Sequence, residues 1–276
     1  MDAAAHEQAA RRAGIAREAL RDCLLCPRNC RVDRTAGEKG YCQLDDKVRC
    51  FREVLRYDEE KGLNPSHQIY FAGCNLKCEF CTVSEWNERP DAADELDVEK
   101  LAATIARRKK EGARTLNLLG GEPAVNVHGI LELLARVDSE AVVVWNTNMY
   151  YNDIVDELVT GLVDIYLADL KCGNSDCAQR LLGAGDYVEV AKANILRAAG
   201  HSDVILRYLV LPGHLRCCLE PIVKWVAAEL PDVKLSLRDY YVPPAQVKEA
   251  PAEYLGRDEY RQAVELAASK GLTLIE

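Results

Sequence analysis

The stretch Gln68-Ile69-Tyr70-Phe71-Ala72-Gly73-Cys74-Asn75-Leu76-Lys77-Cys78-Glu79-Phe80-Cys81 runs from an apolar, strand-like segment straight into a C-x3-C-x2-C group. Three thiols in that space make an incomplete metal cage. Four thiolates close a structural zinc or an ordinary 4Fe-4S cube, whereas three leave one iron open to an outside ligand. An open iron at the end of a strand points to chemistry rather than architecture. The competing reading is a zinc loop completed by a distant fourth residue.

Beyond this stretch the chain alternates strand-like and helix-like segments, the pattern of parallel strands joined by crossover helices. Strands are expected near 68–73, 114–119, 141–147, 163–170, 203–211 and 233–239. The clearest helix starts at the N-cap candidate Asp97, shows one apolar face through Val98, Leu101, Ala102, Ile105 and Ala106, and stops near Gly112. Others are expected near 125–137, 151–160, 187–199, 217–230 and 256–270. A complete eight-unit barrel takes roughly 250 residues, so about six units fit here. The expected fold is therefore α/β, a partial (β/α)6 barrel of the TIM type, open on one side. Its chemistry belongs at the C-terminal strand ends, where Cys74, Gly120, Asn146, Asp169 and Pro212 all fall. The Pro-rich piece from Val242 to Pro251 reads as a loop over the mouth.

Upstream, Cys23, Cys26, Cys30 and Cys42 form C-x2-C-x3-C-x11-C, the two-pair pattern of a small metal knuckle. Gly37 and Gly40 allow the chain to turn so that Cys42 returns to the other three. Too few apolar residues lie between Asp22 and Arg49 to make a core, so a metal is expected to order the segment. Spacing leaves zinc and a second iron-sulfur cluster equally open. The expected organisation is an N-terminal helix over 1–22, a cysteine-rich metal-binding segment over 23–60, and the barrel with its C-terminal helix over 61–276.

The chain has 276 residues, of which 49% are hydrophobic, enough to bury one sizeable core. Its formal charge of -9 gives no electrostatic footprint for nucleic acid. The run Arg107-Arg108-Lys109-Lys110 falls at a helix C-terminus, where cations complement the macrodipole. The first twenty residues carry Asp2, Glu7, Arg11, Arg12 and Arg17 without an apolar run, so neither a signal peptide nor a membrane span is expected. Twelve cysteines without an export signal suit a reducing cytoplasm, where thiols stay free for metals.

With Phe80 directly before the third cysteine, the cluster resembles the signature of the radical S-adenosylmethionine (radical SAM) superfamily. Gly120-Gly121-Glu122-Pro123, one βα unit later, resembles the GGEP motif of that superfamily. The two glycines let the backbone approach a ligand closely, and the resemblance assigns the backbone and Glu122 to the amino group of S-adenosylmethionine. Asp169-Leu170-Lys171 resembles the DLK sequence of glycyl-radical-enzyme activases. Strand alternation puts both charged side chains on one face. The resemblance implies that Lys171 neutralises the cofactor carboxylate while Asp169 helps to hold it. Asn146 and Thr147 stand where those activases have an Asp-Thr pair, so Asn146 is a departure. Arg207, inside the fifth expected strand, is too costly to bury unpaired and is expected to meet Asp169, Glu122 or the cofactor.

Together with Cys26-Pro27-Arg28, Trp145-Asn146-Thr147-Asn148 and Leu211-Pro212-Gly213-His214, these motifs resemble the pyruvate formate-lyase-activating-enzyme-like radical SAM proteins. Thr82-Val83-Ser84 replaces an expected Gln-Asn after the third cysteine, and Tyr240 and Tyr241 stand where activases place a late histidine. The resemblance implies reductive cleavage of S-adenosylmethionine at a 4Fe-4S cluster on Cys74, Cys78 and Cys81. The resulting 5'-deoxyadenosyl radical takes hydrogen from a protein or peptide, the glycine of a glycyl radical enzyme among the candidates. A small-metabolite substrate is the alternative, and an external electron donor such as flavodoxin or ferredoxin is implied. A rival of another class is a metal-binding or electron-transfer module without radical chemistry. Cys172, Cys177, Cys217 and Cys218 read first as buried packing residues. Touching substrate or a further cluster is their alternative role. His214 follows a strand end, either as a structural loop histidine or as a proton donor.

Overall fold

Residues 3–137, 142–246 and 248–275 are described by a computed structural model, in which the chain folds as an α/β protein with mostly parallel strands. Two compact units emerge. One holds the residues up to Asn75 together with Val83–Ile165, and the other holds Leu76–Thr82 together with the residues from Tyr166 onward.

In the first unit the strand order is β3-β1-β2-β4-β5, formed by β1 (Arg49–Arg56), β2 (Ser66–Phe71), β3 (Asp94–Glu95), β4 (Thr115–Gly120) and β5 (Val142–Thr147). β2, β4 and β5 are parallel, whereas β1 runs antiparallel to β2 and β3. The parallel strands are buried almost throughout, which explains their continuous apolar reading. β1 escaped the sequence reading because Arg49, Arg52, Glu53 and Arg56 interrupt its apolar pattern. The helices here are α1 (Ala3–Glu18), α2 (Ser84–Glu88), α3 (Val98–Lys110), α4 (Val127–Leu134) and α5 (Asp153–Val159). Asp97 caps α3 by accepting from Lys100 N at 2.9 Å, and Leu101 and Ile105 supply its buried face. At its far end Arg108 reaches Glu53 and Glu111, so the basic run is partly paired rather than simply solvated.

In the second unit the order is β6-β7-β8-β9, with β6 (Ile165–Asp169), β7 (Asp203–Leu209), β8 (Lys234–Arg238) and β9 (Thr273–Ile275). β7, β8 and β9 are parallel. The helices are α6 (Ser175–Leu182), α7 (Tyr187–Ala199), α8 (Glu220–Glu229) and α9 (Arg257–Ala268). The expected helix from 217 begins instead as a π-turn at Leu215–Leu219 that leads into α8. α6 was not expected. The described residues between Val242 and Pro251 form neither helix nor strand, as expected; Val247 of that loop and Ala141 of the third expected strand lie outside the described residues.

Candidate functional site

In the first unit the backbone after β2 turns at Gly73 and Cys74 and is stitched to the glycine pair after β4. Gly121 N donates to Phe71 O at 2.7 Å, and Glu122 N donates to Gly73 O at 2.9 Å. A Cβ on Gly120 would lie 2.2 Å from the Phe71 backbone, and one on Gly121 would lie 2.1 Å from Gly73 O. The protein's own chain therefore already demands both glycines. The close approach that the two glycines make within the chain is to β2 and its turn. Gly120 also sits at φ 131, where a side chain is strained.

Glu122 is buried, and its carboxylate gathers donors from two strand ends. Oε1 accepts from Ala124 N at 3.0 Å and from Thr147 Oγ1 at 2.7 Å, while Oε2 accepts from Asn148 N at 2.8 Å. Asn148, which the sequence reading did not single out, also donates its side-chain amide to Asn75 Oδ1 at 2.8 Å and approaches Cys74 Sγ at 3.7 Å. It thus ties the end of β5 to the first cysteine. The only signal in the sequence is its place beside Asn146 and Thr147. Asn146 is itself buried.

In the second unit Asp169, at the end of β6, accepts from two cations. Lys171 Nζ lies 2.6 Å from Oδ2, and Arg207 Nε, from β7, lies 2.6 Å from Oδ1. Burial alone would raise the Asp169 carboxyl, but Arg207 and Lys171 outweigh it and hold it well below its ordinary range. Burial would lower the Lys171 ammonium, but Asp169 holds it above its ordinary range. Tyr187, at the start of α7, pins this turn by accepting from Lys171 N at 3.0 Å and donating to Asp169 O at 2.7 Å. The expected partner of Arg207 is thus Asp169. Cys78 belongs to the same unit. Burial pushes its thiol up to about 12, Lys171 opposes that shift, and Cys81 adds to it. The cysteine loop is held by Lys77 N and Glu79 N, which donate to Leu182 O and Leu181 O at 3.2 and 2.9 Å. Phe80 is buried against Tyr241, with ring centroids 6.4 Å apart.

The N-terminal cysteines come together in the first unit. The Cys26 thiol, pushed up to about 12 by burial, also feels Cys42, Cys23 and Cys30. Gly37 turns the chain at φ 85 as expected. Gly40 acts differently: its φ is ordinary, but a Cβ there would lie 2.9 Å from Cys30 Sγ. Asn29 and Arg31 also adopt positive φ, so the segment is tightly folded. Protein contacts anchor it as well. Leu44 packs with Cys42 and Val125, and the buried Arg34 donates to Asp45 O and Val125 O at 2.9 and 3.0 Å. Arg28 stacks over Tyr41 at 3.9 Å and donates to Asn75 O at 2.9 Å, next to Cys74.

The sequence profile of the Radical SAM superfamily matches residues 69–226, more than half of the chain. The chain belongs to the radical SAM superfamily. This radical SAM protein is 34% identical, over 95% of its own length and 78% of the relative's, to an uncharacterized protein of Methanocaldococcus jannaschii. Among solved structures it resembles Streptococcus suis SuiB with a TM-score of 0.55 and 16% identity, over 75% of this chain and 47% of SuiB, so it spans about half of that protein's length. A radical SAM methyltransferase from Sphaerobacter thermophilus gives a TM-score of 0.51 at 17% identity, over 83% of this chain and 76% of that one. These likenesses show the fold, the partial barrel expected from the sequence.

Membership carries S-adenosylmethionine-dependent radical chemistry and with it a 4Fe-4S cluster. The donor set of this radical SAM protein suits the cluster. All twelve cysteines are free, Cys74 is held by the Asn148 and Asn75 network, and Cys78 has the Lys171 cation close by. Thiols that burial keeps protonated must lose protons when metal binds, and a neighbouring ammonium lowers the cost of the resulting negative charge. Among the described residues no helix is long and apolar enough to cross a membrane.

Proposed function

We propose that this radical SAM protein is an enzyme whose Cys74, Cys78 and Cys81 hold the cluster and whose substrate is a protein or peptide from which a hydrogen atom is removed. The cluster, when bound, supplies the electron that cleaves S-adenosylmethionine to methionine and a 5'-deoxyadenosyl radical. The observation that carries this reading is the Asp169, Lys171 and Arg207 trio in the unit of Cys78. One carboxylate against two cations leaves the trio net positive, a fixed partner for the carboxylate of the methionyl group. Glu122, with Thr147 and Asn148 fixing its orientation, is the acceptor for the amino group. Gly120, Gly121 and Asn146 shape the same strand ends, and Phe80 packs the cysteine loop against Tyr241.

A macromolecular substrate is supported by the segment after β8. Glu79 of the cysteine loop accepts from Glu249 N and Ala250 N at 2.8 and 3.2 Å. The same segment exposes Tyr240, Val242 and Tyr254, side chains suited to gripping a chain. SuiB, whose fold this protein shares, has been solved with its precursor peptide SuiA. The glycine of a glycyl radical enzyme is one target of this kind. An external donor such as flavodoxin or ferredoxin would reduce the cluster.

The N-terminal Cys23, Cys26, Cys30 and Cys42 are proposed to hold a second iron-sulfur cluster. Among the described residues, no three of these sulfurs lie within 4.8 Å of one another. That spread suits a four-iron cube better than a single zinc ion, whose thiolates crowd together. Iron counts check it: about four fewer irons per chain in Cys26→Ser than in the parent.

The substrate is tested by deuterium transfer. Reduced, reconstituted protein is given S-adenosylmethionine and extracts of cells grown in heavy water, split by size into macromolecules and metabolites. Deuterium entering 5'-deoxyadenosine from the macromolecular fraction supports the proposal. Transfer from the metabolite fraction alone overturns it in favour of a small substrate.

A further inference from the structure

The second unit contains a second group of candidate ligands, none of them in the cysteine loop. We infer that Cys177, His214, Cys217 and Cys218 form a closed, four-coordinate zinc site that braces the second unit. Their ligand atoms all lie within 4.8 Å of one another. Cys177 and Cys218 are buried, as the packing reading expects, and together with Cys217 they also converge on His214, as the alternative of a further cluster would require.

The geometry is that of a mononuclear centre. His214 Nδ1 lies 3.8 Å from Cys177 Sγ, 3.3 Å from Cys217 Sγ and 3.7 Å from Cys218 Sγ. A ring nitrogen has one proton or one lone pair, so hydrogen bonding satisfies at most one of these three contacts. A single ion at the centre satisfies all of them. Tetrahedral zinc with its usual bond lengths to sulfur and nitrogen sets sulfur and nitrogen about 3.6 Å apart, close to all three spacings. Three cysteines and a histidine also leave no open position, the mark of a structural rather than catalytic zinc.

Local structure is built around the group. The π-turn at Leu215–Leu219 places His214, Cys217 and Cys218 on one side, with Cys218 N and Leu219 N both donating to His214 O at 3.0 and 3.2 Å. Such turns recur at functional sites. Asn174 joins the two ligand-bearing segments. It caps α6 by accepting from Cys177 N at 2.8 Å and donates to Cys217 O at 2.7 Å. Gly173 permits the approach, since a Cβ there would lie 2.1 Å from Cys218 O. Cys177 and Cys218 are buried, while His214 and Cys217 are partly open, which gives an ion a way in. The segment starts two residues after Lys171, so the ion would fix the exit of the turn that carries Asp169 and Lys171.

The test uses the full chain, purified without oxygen and with a phosphine reductant from cells supplied with zinc sulfate. Zinc and iron are counted, and the zinc X-ray absorption edge is recorded. The parent should hold about one zinc per chain, in a shell of three sulfurs and one nitrogen. Cys217→Ala should lower zinc at least about tenfold with iron unchanged, whereas Cys26→Ser should leave zinc unchanged. Absence of zinc from the parent overturns the inference, as does zinc retained in Cys217→Ala or iron lost there. If that variant does not fold, the parent's edge spectrum decides alone: an all-sulfur shell places the ion elsewhere. None of these readouts depends on radical activity, so this inference and the proposed function stand or fall separately.

Discussion

Glu122, just past β4, and Asp169, at the end of β6, are both acidic side chains withdrawn from water at strand ends, yet they are met differently. Glu122 takes two backbone N–H groups and a hydroxyl, and Asp169 takes an ammonium and a guanidinium. A carboxylate seated on backbone donors is positioned by the fold itself. One seated between side-chain cations holds those cations in turn, and its contribution depends on pH. Under the proposed function the first arrangement would receive an amino group and the second would offer its cations to a carboxylate.

The sharpest way to break the comparison is Asp169→Ala, which leaves two partly buried cations facing each other. It should destabilise the protein by about 3–5 kcal/mol in chemical denaturation. Next is Lys171→Met, which leaves Asp169 paired with Arg207. A cost of about 1–3 kcal/mol is expected, with S-adenosylmethionine affinity falling at least about tenfold through loss of a charge-assisted contact. Comparable binding by parent and variant, measured by equilibrium dialysis, would remove Lys171 from the cofactor site.

The pH dependence sharpens the same contrast. Asp169 is depressed, so its contribution is present above about pH 4, the unfolded value, and is lost as pH falls through its folded value. Lys171 is raised, so its contribution is full below about pH 10.4 and is lost as pH rises toward its folded value. Above that pH the Lys171 contribution to the unfolding free energy should fall by about 1.4 kcal/mol per pH unit, and that part of the parent's alkaline slope should be missing from Lys171→Met in denaturation series. The smallest effect is expected from Thr147→Val, which removes one hydroxyl donor from Glu122 while two backbone donors remain. It should cost about 1 kcal/mol.

The parallel strands were legible because burial on both faces makes them continuous apolar runs, and α3 because Asp97 and its apolar face mark it. β1 was hidden by its charges, and α6 by its short length. The same division holds for the cysteines. Cys23, Cys26, Cys30 and Cys42 lie on one stretch, so their spacing suggested a metal at once. Cys177 sits on α6 while His214, Cys217 and Cys218 follow β7, and only folding brings them together. The roles of Asn148 and Tyr187 were equally hidden, because each acts through contacts distant in sequence: Asn148 with Asn75 and Glu122, Tyr187 with the Asp169 and Lys171 turn. The steric demand for glycine at 120 and 121 comes from the Phe71 and Gly73 backbone, which no local motif displays.

The most direct measurement is 5'-deoxyadenosine formation by anaerobically reconstituted, dithionite-reduced protein given S-adenosylmethionine, with Cys78→Ala alongside. The account predicts deoxyadenosine from the parent and none above background from the variant. Its absence from a parent that carries a full iron complement, with or without macromolecular extract, would contradict the account and favour an electron-transfer module.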